Sequence, residues 1–315
     1  MSKGMFMQGV CILTDGSTTI EEIWKTVADA GFKVVKRVPA GEQWVFGGDS
    51  IIVDFKRDVN GLVAIDVVNQ PWPDSMGDPK TDPTVFAAWS MGFFGPFAFP
   101  GGLARAQQQS WAWEGAKTIP HRSRGFIRVK ISYVFGDKPD APVAPKDYDP
   151  VAEIAFLSDL CLALLKVKGT LCYFNPNGEV LQDYAGFSNS LAETKQNKLI
   201  PLPLWSNVRL FNVNAQFGMM DTVGNDQLEI QDVEVIYDKS EYKPNEIEGY
   251  LRNVTLYLLS LNRELQSNET IDGPGENNLS WIIERLNRSL TQPLRRVLRL
   301  CPAAQQEQIR AALPR

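Results

Sequence analysis

The chain has one histidine, and this limits its chemistry. His121 lies in Thr118-Ile119-Pro120-His121-Arg122-Ser123-Arg124. Any Ser-His-Asp, Cys-His or histidine-base mechanism would have to use this side chain, and a zinc site built on two or more histidines is excluded. A histidine in a loop or at a strand start making a structural hydrogen bond is the simpler reading. Asp66, Asp74, Asp78 and Asp82 cluster in IDVVNQPWPDSMGDPKTD. Hard cations need several oxygen ligands, but this spacing lacks the Asp-x-Asp pattern and terminal Glu of a calcium loop. A solvated turn or an acidic recognition loop fits better. The chain has no Walker motif, no Gly-x-Gly-x-x-Gly after a strand and no Gly-x-Ser-x-Gly elbow. The expectation is therefore no catalytic residue, no metal and no cofactor, and a binding protein in preference to an enzyme.

The next residues of interest are aromatic. Trp89, Phe93, Phe94, Phe97 and Phe99, followed by Trp111 and Trp113, fall in or just after Pro83–Ala104, a stretch without a charged residue. Pro83, Pro96 and Pro100, with Gly92, Gly95, Gly101 and Gly102, would break a helix where lipid offers no replacement hydrogen bonds, so this is a loop or a broken buried segment and no membrane span. Such rings either fill the space between a sheet and its helices or offer contact area to a partner. Phe93 and Phe94, held between Gly92 and Gly95, are expected at the surface. Joined to the acidic loop, they give a candidate partner-binding set: Trp72, Asp74, Asp78, Asp82, Phe93 and Phe94.

The elements that must carry these residues read as an α+β protein with mixed, largely antiparallel sheets packed with helices. Val10–Leu13 is strand-like, Thr18 with Glu21 forms a capping box, Ile20, Ile23, Trp24 and Val27 recur at helical spacing up to Gly31, and Phe32–Val38 is the next strand. Ser50–Arg57 and Leu62–Val68 should pair as a hairpin, with Gly61 supplying a positive φ. Gly102–Trp113 reads as a short helix. Phe126–Phe135 alternates, with Arg128, Lys130 and Ser132 on a face expected to meet solvent. Pro139, Pro142 and Pro145 suggest a linker over 136–149, and Asp149-Pro150 opens an apolar helix over Val151–Val167. Gly169–Phe174 and Glu179–Leu181 bracket a turn at 175–178, Val208–Val213 and Leu228–Tyr237 are strands, and Pro244 precedes a long amphipathic helix. The expected units are 1–138, 149–265 and an Arg-rich helical tail over 279–315.

Residues 281–315 hold seven Arg against Glu284 and Glu307, a net +5, while the rest of the chain, with 25 basic and 35 acidic residues, carries -10. An acidic body repels nucleic-acid phosphates and favours a basic partner. The tail is expected to dock on that body or hold a second partner. The opening residues show no apolar segment ending in a small-residue cleavage site, and Cys11, Cys161, Cys172 and Cys301 are widely spaced within apolar runs. Both features lead to the expectation of a cytoplasmic protein with buried thiols.

Gln107–Trp113 with its paired Trp, His121 before the alternating strand, Pro203-Leu204-Trp205, and Asp221-Thr222-Val223-Gly224 leading to Leu228-Glu229-Ile230 together resemble an uncharacterised bacterial domain of unknown function. The resemblance spans most of residues 5–265, and the tail from Trp281 departs from it. Families of this kind resemble immunity proteins encoded beside polymorphic or type VI secretion toxins. The implied function is neutralisation of a basic cognate toxin, most plausibly a nuclease, by occlusion of its active site. The alternatives are a hydrolase or metal-dependent enzyme using His121 with nearby carboxylates, and a secretion-system adaptor or structural protein.

Overall fold

A computed structural model describes residues 5–41, 47–111, 113–135, 143–275 and 279–313. The chain is an α+β protein with two sheets, and it divides into compact units over residues 1–205 and 206–315.

The first unit contains β1 (Gln8–Thr14), α1 (Ile20–Asp29), β2 (Val34–Val38), β3 (Ser50–Lys56), β4 (Gly61–Val68), α2 (Pro83–Ser90), α3 (Gly102–Gln108), α4 (Ile119–Arg122), β5 (Gly125–Ser132), α5 (Pro150–Leu164), β6 (Thr170–Asn175), β7 (Val180–Gln182), α6 (Tyr184–Gln196) and α7 (Leu202–Trp205). Its strands form one antiparallel sheet in the order β2-β3-β4-β5-β1-β6-β7. The central strand β5 is buried along its whole length. Cross-strand registers put Cys11, Arg128 and Asp66 side by side, and likewise Leu13, Phe126 and Val68. Side chains alternate along each strand, so both rows lie on one face. On the opposite side α5 packs against β1 and α1. Helix α5 starts where Asp149 accepts the Val151 and Ala152 N–H groups, both at 3.0 Å, with Pro150 needing no donor partner.

The second unit contains β8 (Asn207–Asn212), β9 (Phe217–Val223), β10 (Asp232–Asp238), α8 (Pro244–Ser260), β11 (Thr270–Asp272), β12 (Ser280–Leu286), β13 (Val297–Pro302) and α9 (Gln306–Ala312). Its sheet runs β11-β12-β13-β10-β9-β8, with β10 and β13 parallel and the other pairs antiparallel. Ile247, Leu251, Val254 and Leu258 of α8 join Val233, Val235, Trp281 and Leu300 in one core, while Ile309 of α9 joins Phe217, Met219, Ile236 and Cys301 in another.

Several local expectations shift. The capping box is Thr19 with Glu22, one residue later than expected, because the Thr18 hydroxyl donates to Lys168 O at 3.0 Å instead. In the β3–β4 hairpin Asn60 takes the positive φ of 57°, steadied by its Nδ2 donating to Tyr133 O at 2.8 Å. Gly61 is needed for space, since a Cβ there would lie 2.9 Å from the Tyr133 ring. Part of the expected linker, 136–142, lies outside the described residues. The boundary expected near 149 falls inside the first unit, because α5, β6 and β7 complete its sheet and its helical cover. The expected helical tail is instead two strands, β12 and β13, followed by the short helix α9, and β13 pairs with β10 near the middle of the sheet. Among the described residues no helix is long and apolar enough to cross a membrane.

Candidate functional site

The loop that leads from β4 to α2 was expected to bind a partner, and the structure splits its residues. Trp72 is 7% exposed and meets Trp89, Phe94, Phe126 and Phe174 at ring-centroid distances of 6.1, 5.3, 5.2 and 5.1 Å. Phe94 is buried in the same cluster. Both rings belong to the core that covers this face of the sheet, not to the surface where Phe94 was expected. Asp74 is spent on the backbone: its two oxygens accept the Leu103 and Ala104 N–H groups at 2.8 and 2.9 Å and so cap α3 from a distant segment. Asp78 stays exposed and accepts the Lys80 and Thr81 N–H groups at 2.7 and 3.2 Å, and Asp82 is exposed at the start of α2. Phe93 is half-buried. The exposed aromatic nearby in sequence is Trp111, at 68% exposure. His121 is exposed on α4.

Phe93 faces a site that reading the sequence missed. Where α2 and α3 stop covering the sheet, a cavity of about 460 Å³ opens over β2 to β5. Its floor is Ser50, Ile52, Leu62 and Ala64, its aromatic wall is Phe6, Phe93 and Phe135, and its charged end is Asp66, Arg128 and Lys130, with Lys36 on β2. Arg128 and Lys130 were expected on a solvent face, yet they are 2% and 5% exposed, because Phe6 and Phe93 lie over them. The Lys130 ammonium sits 4.6 Å from the Phe6 centroid, 5.1 Å from Phe93 and 3.6 Å from Asp66 Oδ1. Arg128 Nε donates to both Asp66 oxygens at 3.1 Å, and its Nη2 bonds Oδ2 as well.

The charged groups described in this pocket shift one another. Burial alone would raise Asp66, but the Arg128 and Lys130 charges outweigh it and hold the carboxyl below its ordinary range. Burial, and then the Arg128 charge, push Lys130 down to about 8 against the opposing pull of Asp66. Burial also pushes the Cys11 thiol up to about 12. All four cysteines are buried and free.

The second unit has a buried ionic network of a different kind. Asp221 receives Arg209 at 2.7 Å and Arg295 at 2.9 Å, Asp232 receives Arg295 at 2.8 Å, and Glu234 receives Arg299 at 2.7 Å. Three carboxylates here meet three guanidinium groups. Glu234 also accepts the Leu290 N–H at 2.7 Å, and Arg209 donates to Gln292 O at 2.7 Å, so the network ties the segment between β12 and β13 to the sheet. The basic tail is thereby docked on acidic strands of its own unit. Asp226 is pushed up to about 6, by burial first and then by Asp232. Among the described residues no cluster of three His, Cys, Asp or Glu is arranged to hold a metal ion.

Residues 221–301 match the family model of a domain of unknown function (DUF4261). The span runs from the end of β9 into β13 and contains Asp221, Asp232, Glu234, Arg295 and Arg299 of that network, while Arg209 lies before it on β8. The match is narrower than the resemblance placed over residues 5–265, and it extends into the Arg-rich segment set apart from that resemblance. No curated protein and no solved structure matches the chain.

Proposed function

We propose that this chain is a binding protein of the immunity kind, which neutralises a basic protein toxin by covering its working surface. One observation carries the reading: the acidic loop is fixed at its base and open at its tip. Trp72 is locked into the aromatic core and Asp74 into the α3 backbone, while Asp78 and Asp82 remain at the surface. A loop carried on a rigid scaffold presents its charges with little further ordering on binding. Fixed carboxylates steer a cationic partner during encounter, and a nuclease with a basic substrate groove is the first candidate. The alternative hydrolase, with His121 beside these carboxylates, gains less support, since Asp74 is already engaged by backbone donors and His121 is exposed on α4.

The test is co-expression with the protein encoded next to this chain, scored by survival of the host cells, together with association rates of the purified pair at low and high salt. Replacing Asp78 and Asp82 by Lys should slow association at least tenfold at low salt and leave the fold intact. Equal rates for wild-type and reversed proteins at both salt concentrations would remove the loop from the interface. Failure of the chain to rescue cells from any neighbouring gene product would remove the immunity reading.

A further inference from the structure

We propose that the sheet face under α9 is a docking groove for a basic amphipathic helix of a partner protein, which binds there in place of α9. The groove lies within the second unit, and the inference does not rest on the toxin reading.

The floor of the groove is set by strand register. Phe211, Met219, Ile236, Cys301 and Ile282 form an apolar row across β8, β9, β10, β13 and β12. Beside it on the same strands runs a row that is charged throughout: Arg209, Asp221, Glu234, Arg299 and Glu284. The two rows are two residues apart along each strand, so they share one face. The opposite face lies under the 17 residues of α8, whereas the apolar row has the seven residues of α9.

Length decides how much of that row α9 covers. Four strand spacings make the row roughly 19 Å long. At 1.5 Å per residue, α9 is about 10 Å long. Ile309 accordingly joins Met219, Ile236 and Cys301 in the buried middle of the row, while Phe211 at one end and Ile282 at the other stay half-buried. A helix of about 13 residues would span the whole row.

The hold of α9 on this face is slight. Ile309 is its one buried residue, and no side chain caps its N-terminus. Its ion pairs, from Arg310 to Glu284 and to Glu307, are made by a guanidinium that is 49% exposed. Two turns of helix are unstable alone, and surface ion pairs add little, so a longer helix with more apolar contacts competes on favourable terms.

The contacts of α9 also define the chemistry of its competitor. Ile309 enters the apolar row, and the next residue, Arg310, donates from Nε to Glu284 Oε1 at 2.9 Å and from Nη2 as well. Gln306, one turn earlier, donates to the same oxygen at 3.1 Å, and Gln305 donates to Glu241 Oε1 at 3.0 Å. Register sets Arg299 opposite Glu284, but that guanidinium turns to Glu234 at 2.7 Å. Among the described residues, the cation paired with Glu284 is therefore Arg310 of the covering helix. An apolar floor with Glu241 and Glu284 at its rim fits a helix that carries an aliphatic anchor followed by a basic residue.

Cys301 reports on the groove, since its thiol is 3% exposed in the floor and the other three cysteines belong to the first unit. The full chain is treated with a thiol reagent, and the labelled site is located by mass spectrometry. A fluorescent peptide with the sequence of residues 303–315 is titrated into wild-type, Ile309→Asp and Arg310→Glu proteins. Both variants should label at Cys301 at least tenfold faster than wild type. The peptide should bind both at least tenfold more tightly than wild type, where α9 competes, and should restore Cys301 protection. A peptide carrying Arg310→Glu should bind the Ile309→Asp protein at least fivefold more weakly, and adding Glu284→Gln to the protein should abolish that difference. Slow amide exchange in β9 and β10 verifies that each variant is folded, and Arg310→Glu, a surface change, carries the test alone if Ile309→Asp does not fold. No saturable peptide binding to a folded variant would overturn the groove. Binding indifferent to the arginine of the peptide would overturn the basic character of the partner. A concentration-dependent wild-type dimer that the peptide dissociates would assign the groove to a second copy of this chain and overturn the partner.

Discussion

Replacing Lys130 by Met should stabilise the protein, although it removes an ion-pair partner. Burial and the neighbouring Arg128 charge bring this lysine from 10.5 to about 8. At about 1.4 kcal/mol per tenfold change in protonation, keeping the buried ammonium charged at pH 7 costs on the order of 3 kcal/mol relative to water. Met fills a similar volume without a charge, and Asp66 keeps Arg128, which holds both of its oxygens. The variant should therefore gain about 2–3 kcal/mol at pH 7. Below pH 8 the folded wild-type protein holds a charged lysine at full cost. Between about 8 and 10.5 the folded state releases its proton while the unfolded state keeps it, so wild-type stability rises with pH through that window. The advantage of the variant must shrink over the same range. Urea unfolding at pH 7 and pH 10, followed by tryptophan fluorescence, measures both effects, and comparing the two proteins cancels the other titrating groups. A variant less stable than wild type at pH 7 with an unchanged m-value, or a gap that does not narrow by pH 10, would refute the reasoning.

Asp66→Asn removes the shared carboxylate, leaves Arg128 and Lys130 buried against each other, and should cost about 3–5 kcal/mol in urea unfolding. In the second unit burial works against Asp221, but Arg295 and Arg209 outweigh it and hold the carboxyl below its ordinary range. Its contribution to stability is therefore complete above the unfolded value near pH 4 and is lost as the pH falls toward the folded value. Asp221→Asn should cost about 3–5 kcal/mol at pH 7 and flatten the acid limb of an unfolding curve followed from pH 6 to pH 2. Truncation before Trp281 removes nearly all of β12, all of β13 and Arg295, so hydrogen exchange over residues 206–280 should lose its slow amides.

The sequence by itself determined the elements whose signals are local. Asp149-Pro150 caps and starts α5, Pro244 starts α8, and the 175–178 turn closes the β6–β7 pair, because caps, prolines and short turns act through neighbours a few residues away. It also indicated the α+β class and the buried state of all four thiols. Tertiary structure decided what depends on distant partners. Alternation along Phe126–Phe135 correctly separates two faces, but alternation cannot tell a face that meets water from one roofed by Phe6 and Phe93, and so Arg128 and Lys130 are buried where solvent was expected. The only hint in the sequence was two basic residues two apart in an apolar strand, with Asp66 alone in an apolar run that would pair beside it. The register that joins them is set by hydrogen bonds between β4 and β5, sixty residues apart in sequence. Likewise, the Arg-rich segment looked like a separate tail because its partners, Asp221, Asp232 and Glu234, lie far upstream. Charge composition reported the excess, and only the fold could show which carboxylate each of these buried cations meets.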